Sequence, residues 1–301
     1  MGLAIAFLAI GLFILFYSLY KIAFDQNYFV WGGNIDSKTA SELGGFLSGF
    51  VGIFWTAAGV IFIYSTFNAQ KLQNEKQHFE NQFFNLMNTY HSLVEKTKGD
   101  VLVILPDKTK FECFEGRDYI KAFVRLLSDG ISSEHFPRFE NYLKKKWDES
   151  EDYRKYLQED YPDDGVPVFD MLVFFKNNQK VLSEKLCGEL YECFYPNYQD
   201  RLGHLMRLMY NIFKFVIENR QKYGDEKVYI DIIQAQLSSF ELALIFYNGL
   251  SKYATSSTGE QKFKNWLVKY SFFENIDETV LIQKEHSEYY DNTDYKFKKT
   301  Q

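Results

Sequence analysis

Cysteine and proline are both scarce in this chain of 301 residues. The cysteines are Cys113, Cys187 and Cys193. Their number is odd, no two form a CxxC, and no histidine lies near enough to complete a zinc set, which excludes a disulfide framework and assigns no metal. They read as small packed hydrophobes in a reducing compartment. With only five prolines, few positions forbid a helix, and long helices are expected. Basic residues are also in short supply. The formal net charge is -6, so bulk nucleic-acid binding, which needs a cationic surface against phosphates, is not expected.

Catalytic signatures are missing too. There is no GxxxxGK[ST] cradle, no GxGxxG after a strand, no GxSxG elbow and no HExxH. None of His78, His91, His135, His204 or His286 has an arginine four to six residues before it, the spacing of many ribonuclease toxins. The sequence therefore assigns no catalytic residue, cofactor or metal.

What is present begins with two stretches free of charge, Gly2 to Tyr20 and Gly45 to Phe67. Each is close to the roughly 20 apolar residues that span a hydrocarbon core as a helix. A polar loop from Asp25 to Gly44 separates them, and Tyr17, Tyr20, Tyr28, Phe29 and Trp31 cluster where the first helix would meet an interface. The first stretch lacks a basic leader and a cleavage site, and position 6 is Ala, so neither a signal peptide nor myristoylation is indicated. The reading is a retained transmembrane hairpin over residues 1–67. Lysines at 21 and 38 balance those at 71 and 76. Lys96, Lys98 and the unpaired cysteines turn the orientation toward a bacterial inner membrane with both termini cytoplasmic. Gly45, Ser48, Gly49, Gly52 and Thr56 place small residues at helical spacing. They suit packing against the first span or against a second copy of the chain. Neither span holds an acid, a base or a histidine, so no proton relay is indicated.

Residues 68–98 read as a juxtamembrane amphipathic helix, with Leu72, Phe79, Phe83, Leu86, Tyr90 and Leu93 in a heptad seam. Residues 99–272 read as a cytoplasmic helical domain. Val101–Leu105 and Thr109–Phe114 suggest a small β-hairpin, and Gly116 with Arg117 opens a helix. Further helices are expected over Phe136–Glu159, with a solvated lysine run at 144–146, and over Lys180–Phe194 and Gln261–Phe272, with a turn at Tyr161–Gly165. Asp200–Tyr223 and Lys227–Leu250 are apolar around most of their circumference and are expected to be buried, the second capped by Gly249. Residues 273–301 are expected to be a polar tail, disordered past Ser287. The fold class is mainly α.

Each of the two apolar helices carries one polar stripe. His204, Arg207, Asn211, Lys214 and Glu218 are spaced 3, 4, 3 and 4. Gln234, Ser238, Glu241 and Asn248 are spaced 4, 3 and 7, with Gln236 off the line. Facing stripes could bury a pair such as Arg207 with Glu241. That would be either a ligand or trigger site or a network that fixes helix register.

Several blocks in order resemble the phage abortive infection (AbiC-like) family of bacteria. They are FENQFFNLMNTYHSLV at Phe79–Val94, Gly116-Arg117 before Phe123, LGHLMRLMYNIFKF at Leu202–Phe215, and YIDIIQAQLSSFELALIFYNGLS at Tyr229–Ser251. The resemblance carries Arg207, Gln236, Glu241 and Asn248 as motif residues, and Gln234 stands where the family usually has a basic residue. It implies an anchored anti-phage effector that compromises the inner membrane or arrests growth on infection. The implied partners are membrane lipid, further copies of the chain, and a companion protein or phage-derived trigger. Two alternatives stay open, an anchored nuclease-like toxin using His204, Arg207 and Glu241, and a non-toxic membrane adaptor.

Overall fold

The computed structural model describes residues 2–21, 37–105, 108–131, 136–160, 181–223, 225–256, 259–290 and 293–299. Tyr28, Phe29 and Trp31 of the expected aromatic belt, and the Tyr161–Gly165 turn, lie outside them. The chain divides into two compact units, Met1–Glu80 and Asn81–Gln301.

In the first unit, helix α1 covers Gly2–Tyr20, α2 covers Ser37–Phe46, and α3 begins at Gly52 and runs to Lys96. Both α1 and the Gly44–Lys96 stretch are long and apolar enough to cross a membrane. Leu3, Phe13, Phe16, Ile53, Val60 and Ile63 are exposed. Such a patch suits hydrocarbon rather than water. α1 meets α3 through Gly11, where an added Cβ would lie 2.6 Å from Trp55 Nε1, and through Phe7, whose ring is 6.1 Å from that of Phe54.

The small-residue stripe is not one straight face. Leu47–Val51 forms a π-turn, closed by the Gly52 N–H donating to the Leu47 carbonyl. The extra residue in that turn rotates everything beyond it about the helix axis. Gly45, Ser48, Gly49 and Thr56 are exposed, and a Cβ at Gly45 or Gly49 would meet nothing within 4 Å. α1 packs on the Leu47–Val51 turn, and through Gly11 and Phe7 on Trp55 and Phe54.

In the second unit, α3 buries Phe83, Met87, Tyr90 and Val94, spaced 4, 3 and 4, against its own domain. Thr97 ends the helix, its hydroxyl donating to Leu93 O at 2.8 Å. Strands β1 (Lys98–Leu105) and β2 (Lys108–Glu115) pair antiparallel, from Lys98 opposite Glu115 to Leu105 opposite Lys108. The chain leaves β2 into α4 (Gly116–Asp129) through Gly116, whose φ of +57° is costly for a residue with a Cβ. The fold is thus mainly α with one small hairpin, as the patterning predicts.

Several boundaries differ from expectation for local reasons. The Phe136–Glu159 pattern is two helices, α5 (Phe136–Glu149) and α6 (Glu151–Asp160), because Ser150 interrupts them and its hydroxyl accepts from Tyr153 N at 3.2 Å. Lys146 is not a purely solvated lysine. It reaches Glu189 at 2.6 Å and Glu192 at 3.5 Å on α7 (Glu184–Phe194). Ser183 caps α7 through Leu186 N.

Helix α8 (Gln199–Tyr223) is not buried all round. Leu202, Leu205, Met209, Ile212, Phe213 and Val216 face the core, and the whole His204-to-Glu218 stripe is exposed. The Lys227–Leu250 pattern is likewise two helices, α9 (Glu226–Gln236) and α10 (Ser239–Leu250), bent by 118°. A capping box between Ser238 and Glu241 makes the break. Helix α10 is the central rod, buried at every position from Glu241 to Leu250. Gly249 lies inside α10 rather than capping it, and Ser251 takes the cap. A Cβ at Gly249 would strike the Tyr290 hydroxyl. Gly188 of α7 meets the far end of α10 in the same way, where a Cβ would lie 2.5 Å from Leu250 O.

α11 (Lys262–Lys269) is shorter than expected, and a turn with Ser271 at φ 50° follows it. The supposed tail is packed. Residues 278–280 and 284–289 form short 3-10 turns, α12 (Lys296–Lys299) closes the chain, and Tyr290 and Tyr295 are buried. Its polar composition conceals aromatic residues at the packing positions. His286 is fully buried there. Its Nδ1 accepts from the Tyr247 hydroxyl at 3.0 Å, and its Nε2–H donates to Gln283 Oε1 at 2.9 Å.

Two predictions follow from this packing. Gly188→Ala drives a methyl group into the α10 backbone and is expected to destabilise the purified chain by about 1–3 kcal/mol in thermal unfolding. Burial also lowers the His286 pKa from 6.5 to about 4. Below pH 6.5 the unfolded chain therefore takes up a proton that the folded chain refuses, and stability falls as pH drops toward 4. The loss is about 3 kcal/mol, and His286→Gln should flatten that part of the pH profile.

Candidate functional site

The 118° corner between α9 and α10 is held by polar groups. At the head of α10 the Ser238 N–H and hydroxyl both donate to Glu241 Oε2, at 2.9 and 2.6 Å, while the Glu241 N–H donates to the Ser238 hydroxyl at 3.3 Å. This arrangement satisfies donors at the helix start that no preceding turn can reach. It also places a carboxylate with a fully buried side chain at the domain centre.

One cation answers that charge. Arg117, in the first turn of α4, puts Nε 3.3 Å from Glu241 Oε2, and its Nη2 donates to the Gln236 carbonyl at 3.4 Å. Arg117 is 57% exposed, so the pair is buried on one side and wet on the other. From α3, His91 donates Nε2–H to the Gln236 side chain at 2.9 Å. Tyr90, the preceding residue, has its hydroxyl pushed well up, by burial first and by the Glu241 charge second. Glu241 Oε1 and the Tyr90 hydroxyl are both buried and set against each other, and neither has another hydrogen-bond partner among the described residues. His91, Val94, Glu95, Arg117 and Gln236 line a cleft of about 370 Å³.

A second cleft, of about 520 Å³, opens beside α8. Arg207, Asn211 and Asn248 share its wall with Tyr195, Tyr210, Tyr253, Lys262 and Phe263. Arg207 Nη2 donates to His204 Nδ1 at 2.8 Å, one turn back. Asn248 is buried and donates to the Tyr191 hydroxyl at 3.1 Å.

The structure thus divides the two polar stripes. Gln236, Ser238 and Glu241 join Arg117 at the corner. Arg207, Asn211 and Asn248 join at the second cleft. Lys214 pairs with Glu218 on the outer surface of α8. Gln234 belongs to neither group. It donates to Phe272 O at 2.6 Å and accepts from Asn275 at 2.8 Å, which fastens the turn after α11. An Arg207–Glu241 pair is not formed, so the trio His204, Arg207 and Glu241 does not assemble into one site. The break at Ser238 sends Glu241 toward α4 and Arg117. The S-x-x-E spacing of Ser238 and Glu241 is legible as a capping box in the sequence and would have located the break. Tyr90, His91, Tyr253 and Lys262 carry no such local signal, because only tertiary contact brings them to these clefts.

Among the described residues the chain carries two helices long and apolar enough to cross a bilayer, joined to a helical domain. Residues 197–280 match the family model described as "Putative phage abortive infection protein", which supports a role in phage defence. The matched stretch contains α8, the corner and α10. No curated protein and no solved structure matches the chain.

The corner makes a testable claim about charge. Arg117→Ala strips a buried carboxylate of its cation and is expected to cost about 1–3 kcal/mol. Glu241→Gln keeps a capping oxygen and removes the charge, and should cost less. Chemical denaturation of the single and double variants checks this. A double variant less stable than Arg117→Ala alone would contradict the pairing.

Proposed function

We propose that the chain is a membrane-anchored abortive-infection effector whose helical domain controls the two apolar helices and, on infection, lets them breach the inner membrane. The observation that carries this reading is the course of α3. It starts at Gly52 within the second apolar stretch and ends at Lys96, and its last turns hold the corner through His91 and Gln236. A change at the corner therefore acts directly on the helix that continues into the span. Glu241 is the sensitive point, since a buried charge with one partner tolerates little displacement of that partner.

The exposed Gly45 and Gly49 support assembly of several chains. Small residues allow close approach of helices in lipid, and α1 leaves these two open. Uncharged spans offer no ion path within one chain, so a breach would come from several hairpins together. In this reading both termini lie in the cytoplasm, where a phage-derived component or a companion protein would act on the domain.

The test is membrane potential, followed with a voltage-sensitive dye in cells challenged with phage. The full chain is expected to depolarise the cells, and a version lacking residues 1–67 is expected not to. Growth arrest with the potential intact would overturn the membrane-breaching mechanism and move the activity to the helical domain. Protection with neither arrest nor depolarisation would favour an adaptor.

A further inference from the structure

The cleft beside α8 is not explained by the corner or by the packing of the core. It combines three features seldom found together on an acidic protein. The first is a cation with no carboxylate partner among the described residues. Arg207 is exposed, and its Nη2 donates to His204 Nδ1 at 2.8 Å, which uses one of its five N–H donors. The second is a pair of aromatic walls. Tyr253 lies 4.6 Å from Tyr195, itself stacked at 4.8 Å on Tyr191, while Tyr210 stacks on Trp266 at 5.4 Å and meets Phe263 edge-on at 5.9 Å. Tyr210 and Tyr253 are only half-buried, so each is available to the cleft. The third is a polar floor and rim, with buried Asn248, exposed Asn211, and exposed Lys262, which pairs with Glu260 at 3.2 Å.

We propose that this cleft binds a nucleotide, its phosphate held by Arg207 and Lys262 and its base stacked on Tyr253 or Tyr210. A planar guanidinium suits bidentate contact with phosphate, and half-exposed tyrosines suit a flat π-system. The cavity of about 520 Å³ falls within the usual 300–1,000 Å³ of small-molecule sites. A plain anion would use the cations and leave the aromatic walls without a purpose. A plain apolar ligand would leave Arg207 desolvated and without a partner. Arg207 further lowers the cost of filling the cleft, since His204 already fixes its orientation.

The cleft shares α10 with the corner. Asn248 belongs to α10, the helix that Glu241 heads, and Arg207 belongs to α8 within the stretch matched by the family model. Occupancy would therefore be felt along α10. The proposal thus deepens the reading of the domain as the sensing half of an effector. Its test requires neither phage nor a membrane potential, so failure of one leaves the other standing.

The experiment is thermal unfolding and calorimetry on the full chain in detergent. The probes are the mono-, di- and triphosphates of the four common nucleosides, with inorganic triphosphate as a separate arm. At least one nucleotide is expected to raise the melting temperature and to bind more tightly than inorganic triphosphate. Arg207→Glu and Lys262→Glu should each weaken it by roughly tenfold or more, the size of one charge-assisted contact. Tyr253→Ala should weaken the nucleotide and leave inorganic triphosphate unchanged. These are surface or half-buried positions, and the melting temperature without ligand verifies that each variant folds. No protection by any nucleotide at millimolar concentration would overturn the proposal. So would equal protection in Arg207→Glu, or inorganic triphosphate binding as tightly as the nucleotides.

Discussion

The helical domain is organised by the burial of one carboxylate. Glu241 heads a helix that is covered at every position from Glu241 to Leu250. Taking a charge out of water is unfavourable unless hydrogen bonds and a counter-charge replace the lost solvation. Here the Ser238 N–H and hydroxyl supply the first and Arg117 supplies the second. The geometry of that set fixes three things together. It breaks the chain between α9 and α10, it sets the direction of α10 into the core, and it fastens the start of α4 to the corner.

The same set also holds the last turns of α3. Tyr90 and His91 occupy the last turns of α3, and both look onto the corner. Helices that pack only through apolar surface can slide with little change in energy. A hydrogen bond from His91 to Gln236 and an aromatic hydroxyl set against a carboxylate resist sliding, because misplacement leaves polar groups unsatisfied. The corner is therefore a rigid junction in an otherwise apolar interior.

Around this junction the rest of the domain is fastened by shape. Gly188 and Gly249 let α7 and the Tyr290 hydroxyl approach α10 more closely than any side chain would permit. The C-terminal residues complete the enclosure, with Tyr290 on the Phe246 carbonyl at 2.7 Å and His286 under Tyr247. Lys146 and Lys252 converge on Glu192, which ties α5 to α7 and to the turn after α10. The second cleft opens on the far side of this assembly, where α8 presents its polar face.

Much of this was legible in the sequence because it is local or one-dimensional. Two uncharged stretches of span length need no partner to be recognised. Two short apolar runs around Pro106, Asp107 and Lys108 foretold the hairpin, and Gly116 marked the sharp entry to α4. What misled was periodicity taken alone. Lys227–Leu250 and Phe136–Glu159 keep a helical pattern across breaks made by serines, since a cap changes backbone direction without disturbing the spacing of apolar residues. The tail from Glu274 was judged by composition, which counts lysines and glutamates but does not see that Tyr290 and Tyr295 find places in a core built elsewhere.

The sequence by itself determined the class of the chain, its apolar spans, most of its helices and the family resemblance, because each depends on neighbours within a few residues. Only the tertiary structure decided which charges meet. Arg207 and Glu241 lie on patterns that invite pairing, yet the turn at Ser238 gives Glu241 to Arg117, more than a hundred residues away. Arg207 is left facing an aromatic cleft. Such partnerships depend on the direction in which one helix leaves another, and spacing along the chain carries no record of it.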